Sequence, residues 1–274
     1  MKAAPISVLF LIYFGADLLA QSPMEVFPKG GRSMGMANAH TTLGDVWSVF
    51  NNIGALAEIK ASQVSFAYDH RMQLNELSTL AAVAAFKKNQ TALGIGVSQF
   101  GDQDFSQSQA GLGFSQRLGI ASLGIKVNYF QTHISNQGTA GAAVFEFGGL
   151  AELSPVLFFG AHVYNPTMAS YGGDSPEKLP TVIKAGLAYR PSEQVSVNLE
   201  GEKDILLEPQ LKIGVEYSIL LKVWLRVGFN TNPERLFYGM GFRPKRFHID
   251  YAMTQHQRLG FTHHFSFSYL FPTK

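Results

Sequence analysis

The chain has 274 residues, 46% hydrophobic and 12% aromatic, with 15% charged side chains and a formal net charge of +2. Charge this scarce excludes a disordered polypeptide, and charge this balanced, without a dense Lys/Arg block, gives no footprint for nucleic acid. The absence of Cys removes disulfide scaffolds, thiolate zinc sites and thiol catalysis together.

The first twenty residues read as an export signal. Lys2 supplies the positive start, Ile6 to Phe14 the apolar core, and Ala16 to Ala20 a small-residue exit. Cleavage after Ala20 leaves Gln21 first. The apolar run is shorter than the roughly 20 residues a spanning helix needs. No later stretch supplies a helix of that kind.

Residues 21–60 lack any short period and are rich in small residues: Gly30-Gly31-Arg32-Ser33-Met34-Gly35, then Gly44-Asp45, then Asn51-Asn52-Ile53-Gly54. Gly and Ala at such positions let a segment pack closely on another backbone. Arg32 and Asp45 are candidates to pair with charges on a surrounding wall.

From Gln63 onward the sequence alternates with period two. Val64, Phe66 and Tyr68 interleave with Ser65, Ala67 and Asp69; Leu93, Ile95 and Val97 with Gly94, Gly96 and Ser98. Leu123, Ile125, Val127 and Tyr129 interleave with Gly124, Lys126 and Asn128; Leu211, Ile213, Val215 and Tyr217 with Lys212, Gly214 and Glu216. The pattern persists to Phe265, Phe267 and Tyr269, which alternate with His264, Ser266 and Ser268. Strict alternation marks strands, because successive side chains point to opposite faces. Two segments, around Leu77 to Phe86 and Ala142 to Leu153, have ambiguous parity. Counting them gives about fourteen strands, an even number, as bacterial outer-membrane barrels have.

The second face carries Gly, Ala, Ser and Asn with about one charge per strand, a composition suited to a crowded interior rather than a solvated exterior. Tyr68, Tyr129, Tyr189, Tyr217 and Phe271 near strand ends match interfacial girdles. The expectation is therefore an all-β transmembrane antiparallel barrel over 61–274, with residues 21–60 as a plug in its lumen. A secreted soluble sandwich is the rival. Long polar loops are expected at Gly101–Ser106, Thr132–Thr139, Asn165–Lys178 and Thr254–Gly260, alternating with tight turns at the opposite end. The longest contains Gly172, Gly173 and Pro176.

Lys126, Glu146, Lys184, Glu200, Glu202, Lys212, Glu216, Arg226 and Asp250 fall on the inward parity. Charges enclosed in a barrel must be paired or wet, so a ladder of cross-strand pairs such as Glu200 with Lys212 and Glu216 with Arg226 is preferred over a transport path. Adjacent His263 and His264 point to opposite faces and cannot chelate one metal. No spacing singles out a catalytic constellation, so neither catalysis, metal nor cofactor is expected.

The small-residue N-terminal stretch, with Gly30, Gly31, Arg32, Ser33, Gly35, Asp45, Asn51, Asn52 and Gly54, resembles the N-terminal hatch of FadL-like outer-membrane barrels. A closer resemblance is to the PorV/PorQ family associated with type IX secretion. Leu211–Tyr217, Leu225–Phe229, Tyr238–Phe242, Ile249–Ala252 and Leu259–Ser266 look like that family's closing strands. The resemblance implies a non-enzymatic barrel in the outer membrane of a Gram-negative bacterium, surrounded by lipid. Its implied role is to dock or scaffold a protein partner in type IX secretion or surface attachment. The alternative is a FadL-like channel for hydrophobic small molecules, gated by the N-terminal segment. The lumen separates them: a channel needs an apolar pocket against the hatch, whereas a docking protein can be sealed.

Overall fold

Strands with one apolar and one small or polar face satisfy both backbone and side chains when they close edge to edge, since closure leaves no unpaired strand edge. The computed structural model describes residues 28–171, 178–256 and 260–272. The expected export signal, and Gly172, Gly173 and Pro176, lie outside the described residues. Among the described residues fourteen antiparallel strands form one closed barrel. They are β1 (Gln63–His70), β2 (Ser78–Lys88), β3 (Thr91–Gly101), β4 (Phe105–Leu118), β5 (Ala121–Ile134), β6 (Gly138–Ser154) and β7 (Leu157–Tyr164). Then come β8 (Val182–Ser192), β9 (Val195–Asp204), β10 (Gln210–Ile219), β11 (Val223–Thr231), β12 (Glu234–Phe242), β13 (Phe247–His256) and β14 (Gly260–Leu270). Each pairs with its neighbours in sequence, and β1 pairs with β14, Phe66 opposite Phe267, to close the cylinder.

The alternation maps directly onto outside and inside. Phe66 is 59% exposed and Leu112 is 63% exposed, and Leu93, Ile125, Leu211 and Met240 share that outward face, while Ser65, Gly111, Lys126 and Glu216 are buried. Exposed aliphatic and aromatic residues on nearly every strand form a continuous apolar exterior, the surface that acyl chains solvate and water does not. Tyr68, Tyr129, Tyr189, Tyr217 and Phe271 all lie on this exposed exterior.

The two segments of ambiguous parity are β2 and β6. In β2, Leu80 and Phe86 face out while Thr79, Ala81, Val83 and Ala85 face in. In β6, Phe145 and Phe147 face out while Ala142, Val144, Glu146 and Leu150 face in. Both strands carry apolar residues on both faces because each backs an apolar cluster inside the barrel.

Three of the expected long loops are short, Thr254–Gly260 among them, since β13 runs to His256 and β14 starts at Gly260. β3 runs to Gly101 and β4 starts at Phe105; β5 runs to Ile134 and β6 starts at Gly138. The polar composition there has a different use. Asp102 Oδ1 accepts the N–H groups of Asp104 at 2.9 Å and Phe105 at 3.1 Å, building a tight Asx turn, with Gly101 at φ 91°. The strands themselves continue with outward polar residues, Ser106, Ser108, Gln131, His133 and Thr139, past the apolar band. The β7–β8 connection is long, as expected, and of its described residues Tyr171 and Leu179 pack inward with Phe130, Val144 and Val182.

Residues 28–60 lie against the inward wall. They contain two single-turn helices, α1 (Gly31–Met34) and α2 (Ser48–Asn51), and a 3-10 helix, Ile53–Glu58. Helices this short have little stability of their own, so the segment's conformation is imposed by the wall.

Candidate functional site in the barrel interior

The wall meets the N-terminal segment backbone to backbone, through inward glycines. A Cβ on Gly214 of β10 would lie 2.6 Å from the Met36 carbonyl oxygen; on Gly124 of β5, 2.7 Å from the Ile53 carbonyl oxygen; on Gly239 of β12, 2.9 Å from Gly35 Cα. Gly160 of β7 and Gly228 of β11 are equally occupied, by Thr41 and Ala37. The small inward residues thus form a belt on which the segment's main chain runs. By contrast, outward Gly201 has its nearest such neighbour at 4.0 Å.

Approach that close strands backbone polar groups unless wall side chains meet them. Glu200 on β9 accepts the N–H of His40 and of Thr41, both at 2.8 Å. Ser115 on β4 donates to the Gly54 carbonyl at 2.9 Å and accepts the Ala57 N–H at 3.2 Å. Asn198 on β9 donates to Thr42 Oγ1 at 2.8 Å, and Arg190 on β8 to the Thr42 carbonyl at 2.6 Å. Of these partners Glu200 was named from the sequence as an inward charge, whereas Ser115, Asn198 and Arg190 were not singled out. The signal that would have found them is inward parity combined with a Ser, Asn or Glu one strand away from an inward Gly.

Of the N-terminal residues named from the sequence, Gly31, Arg32, Gly35, Asn52 and Gly54 touch the wall, while Gly30, Ser33, Asp45 and Asn51 make contacts within the segment. Gly30 has φ 92° and lies under the Trp47 ring, leaving no room for a side chain. The Gly31 N–H donates to Ser266 Oγ at 3.0 Å, and Gly35 packs on Gly239. Ser33 donates back to the Lys29 carbonyl at 3.1 Å. Asn51 pairs with the backbone of Lys29 in both directions at 2.9 Å, tying the two ends of the segment together. Asn52 accepts the Gly54 N–H at 3.1 Å and donates to the carbonyls of Thr41 at 2.5 Å and of Gly149, on β6, at 3.0 Å. Gly54 lies directly on the Gly148–Gly149 backbone.

The lumen charges fall into separate networks. Glu216 on β10 receives Arg32 bidentately, at 2.6 and 3.0 Å, and Arg226 of β11 at 2.6 Å. Arg226 and Arg243 also reach Asp250 on β13, at 2.8 and 3.3 Å. Lys212 joins Glu202 at 2.5 Å and Glu200 at 3.5 Å, and Lys184 joins Glu202 at 3.2 Å. Lys126 and His162 close on Glu146 at 3.1 and 3.0 Å, with the Lys126 ammonium 5.0 Å from the centre of the Phe50 ring. Both pairs named from the sequence, Glu200 with Lys212 and Glu216 with Arg226, are formed. Arg32 pairs with the wall as expected; Asp45 does not. Its carboxylate meets Arg32 at 3.4 Å and the Trp47 N–H at 3.0 Å, both within the segment, because no inward strand residue brings a cation within ion-pair distance.

Burial sets the titration of the segment's own groups. Burial pushes the Asp45 carboxyl above its ordinary value, and the Arg32 charge only partly offsets it. Burial, with the Lys184 and Lys212 ammonium groups next to it, pushes His40 well below its ordinary value and holds it neutral. The adjacent histidines separate as expected: His264 faces in and meets Asp69 at 2.9 Å, while His263 faces out against Tyr251 Oη at 2.7 Å.

Two apolar clusters complete the interior. Val46, Val49, Phe50, Ile53 and Leu56 of the N-terminal segment pack on Ala67, Ala81, Val83, Ala85 and Ala92 of β1–β3. At the loop end, Phe130, Ala142, Val144, Tyr164 and Val182 from β5–β8 face inward and receive Tyr171 and Leu179. Tyr171 Oη bonds Thr132 Oγ1 at 2.6 Å, whereas the buried Tyr164 hydroxyl has no partner among the described residues.

Several solved barrels share this architecture. The TodX deltaS2S3 mutant monoaromatic hydrocarbon channel superposes with a TM-score of 0.72 at 12% identity, covering 88% of this chain and 99% of that one. The Ralstonia pickettii toluene transporter TbuX gives 0.69 at 12% identity, covering 89% and 98%. A Pseudomonas aeruginosa FadL homologue gives 0.63 at 14% identity, covering 89% and 98%. This is a FadL-like barrel fold. No protein-family model and no curated protein matches the chain. The PorV/PorQ part of the sequence resemblance draws no support from these structures.

Proposed function

We propose that the chain is a non-enzymatic channel of the Gram-negative outer membrane that admits hydrophobic small molecules. In this reading residues 1–20 are an export signal, residues 21–60 a plug and residues 61–274 the barrel. The observation that carries it is the inward-facing apolar cluster at the loop end, with Phe130, Val144, Tyr164 and Val182 on the wall. Apart from the alanines and Val83 of β1–β3 that carry the N-terminal segment, the rest of the inner wall is largely glycine, small polar residues and paired charge, and wall residues at these positions meet no acyl chains. Tyr171 and Leu179 cover this apolar wall, and an apolar solute arriving at the mouth would meet the same side chains in their place. Fold neighbours that are a monoaromatic hydrocarbon channel and a toluene transporter support the same reading. The paired lumen charges are wall cohesion and plug anchorage, and the hydrogen-bonded N-terminal segment is the barrier between the mouth and the opposite end. The docking role of the PorV/PorQ type rests on motif resemblance alone, and no contact among the described residues adds to it.

The test is accumulation of a radiolabelled monoaromatic hydrocarbon by cells lacking their own hydrocarbon channels. Expression of the chain is expected to speed accumulation several-fold, and Val144→Asp to abolish the gain while the barrel still shows heat-modifiable migration. Equal accumulation with and without the folded chain overturns the channel reading, and a stoichiometric secreted protein co-purifying instead supports docking.

A further inference from the structure

The two ends of the barrel carry opposite charge. At the end where β1 begins and β14 finishes, the exposed charged side chains among the described residues are Lys60, Lys88, Lys222, Lys245 and Arg246, against Glu193 alone. At the other end Glu76, Asp102, Asp104, Glu208 and Glu234 are exposed, against Lys178 and Lys203. The basic end also exposes aliphatic side chains in its turns, Leu220 at 82% and Ile120 at 69%. Cations beside exposed aliphatics are the arrangement of a surface that meets headgroups and acyl chains together.

On that rim the β2–β3 hairpin brings both kinds of side chain together. The β2–β3 turn bounds an external groove of about 750 Å³ lined by Phe86, Lys88, Asn89, Gln90 and Leu93 among others. Phe86 and Leu93 are directly opposite in the ladder, and both are exposed on the barrel's apolar exterior. Lys88 is two residues beyond Phe86 on the same face, so it stands roughly 6–7 Å nearer the barrel's end. Lys87 points inward instead and donates to the Ala57 carbonyl. The groove therefore runs from an aromatic–aliphatic wall to an ammonium and the polar turn residues Asn89 and Gln90, in the order a phospholipid presents chain and phosphate.

We propose that this groove, backed by the basic rim, is a site for an anionic phospholipid of the leaflet at the barrel's terminal end. The proposal rests on the membrane-spanning reading of the barrel and is independent of what the lumen conducts. Inorganic phosphate alone would satisfy Lys88 but leave Phe86 and Leu93 without a partner.

The full chain is folded into vesicles of phosphatidylcholine and of a phosphatidylglycerol–phosphatidylcholine mixture, re-extracted in mild detergent, and its bound lipid quantified by mass spectrometry. Heat-modifiable migration in the phosphatidylcholine vesicles reports insertion separately, so failure of the membrane reading is distinguished from failure of this one. The expected result is enrichment of phosphatidylglycerol over the bulk ratio, reduced about fivefold by Lys88→Gln, the factor expected for one basic side chain at an anionic surface. Leu93→Gln, which keeps the charge, is expected to reduce it as well, and millimolar inorganic phosphate to leave it in place. A bound ratio equal to the bulk ratio, enrichment unchanged in both folded variants, or full displacement by inorganic phosphate overturns the proposal. Should Lys88→Gln fail to insert, Lys88→Thr removes the same charge from the groove and the same outcomes apply.

Discussion

The interior wall grips the N-terminal segment differently on its two sides. Across β8–β13 the grip is polar: Glu216, Arg226, Arg243 and Asp250 surround Arg32, and Glu200 takes the amides of His40 and Thr41. Across β1–β3 it is apolar: Val49, Phe50 and Leu56 lie on alanines and glycines of the wall. Ion pairs and amide–carboxylate bonds are directional and fix the segment's register, whereas alanine and glycine only set how closely it approaches. The charged side therefore specifies where the segment sits, and the apolar side keeps water out of the joint.

The largest effect expected from breaking this contrast is on the charged side. Glu216→Ala leaves Arg32, Arg226 and Arg243 facing one another without their shared carboxylate. Removing one partner of a buried ion pair costs about 3–5 kcal/mol. Denaturant unfolding in detergent micelles is expected to show a loss of that size; a loss under about 1 kcal/mol would mean that water or Asp250 neutralises the arginines, against the buried-network view.

On the apolar side, Leu56→Ala removes a fully buried side chain packed among Val49, Ile53 and the β1–β3 alanines. A loss of about 3 kcal/mol is expected in the same measurement, the middle of the range for such truncations. The two substitutions are also expected to differ in salt response. Glu216→Ala exposes the segment to competing anions, while Leu56→Ala does not, so an identical salt dependence would erase the distinction between the two sides.

A third substitution probes the belt that both sides share. Gly214→Val pushes Cβ and two methyl groups into the Met36 backbone, and overpacking of this kind costs about 1–3 kcal/mol. Gly201→Val, on the neighbouring strand but facing out, has open space and is expected to be neutral within about 0.5 kcal/mol. Protease sensitivity of the segment separates them: only Gly214→Val should make residues 30–45 cleavable.

The same contrast explains what the sequence reveals. Strands of the charged side, such as β10 with Lys212, Gly214 and Glu216 opposite Leu211, Ile213 and Val215, have faces of unlike composition, so their parity is legible and even their pairing partners follow. β2 and β6 are not legible, because Ala81, Val83 and Val144 turn inward onto apolar clusters that only tertiary packing creates. The loops misled for a related reason. A polar stretch such as 101–106 reads as a long excursion, but polarity there serves an Asx turn and strand ends beyond the apolar band. Hatch residues were legible as a composition; their partners were not, since Ser115, Asn198 and Arg190 are ordinary strand residues until the segment is laid against them.

The smallest expected effect concerns His40, whose ring approaches the Lys184 ammonium at 3.4 Å through Nε2. Burial first, then Lys184, Lys212 and His162, hold its pKa well below the ordinary 6.5. A histidine depressed in the docked state contributes stability that is complete above its free value and is lost as pH falls below it, because the released segment takes up a proton that the docked one refuses. Docking of residues 36–42 is therefore expected to weaken by about 1 kcal/mol between pH 6.5 and pH 5.5, one proton's worth over that interval. Asp45 acts with the opposite sign in a more acidic window: its raised carboxyl favours docking at low pH and loses that contribution as pH climbs above 3.8. The two are separated by His40→Gln, which keeps both backbone bonds to Glu200 and removes the titrating ring. Hydrogen exchange of residues 36–42, corrected for its intrinsic pH dependence, should fall in protection toward pH 5.5 in the parent chain and stay level in the variant. A parallel decline in both would place the sensitivity in the wall carboxylates, and the polar grip would then depend on pH through Glu200 and Glu216 rather than through the segment it holds.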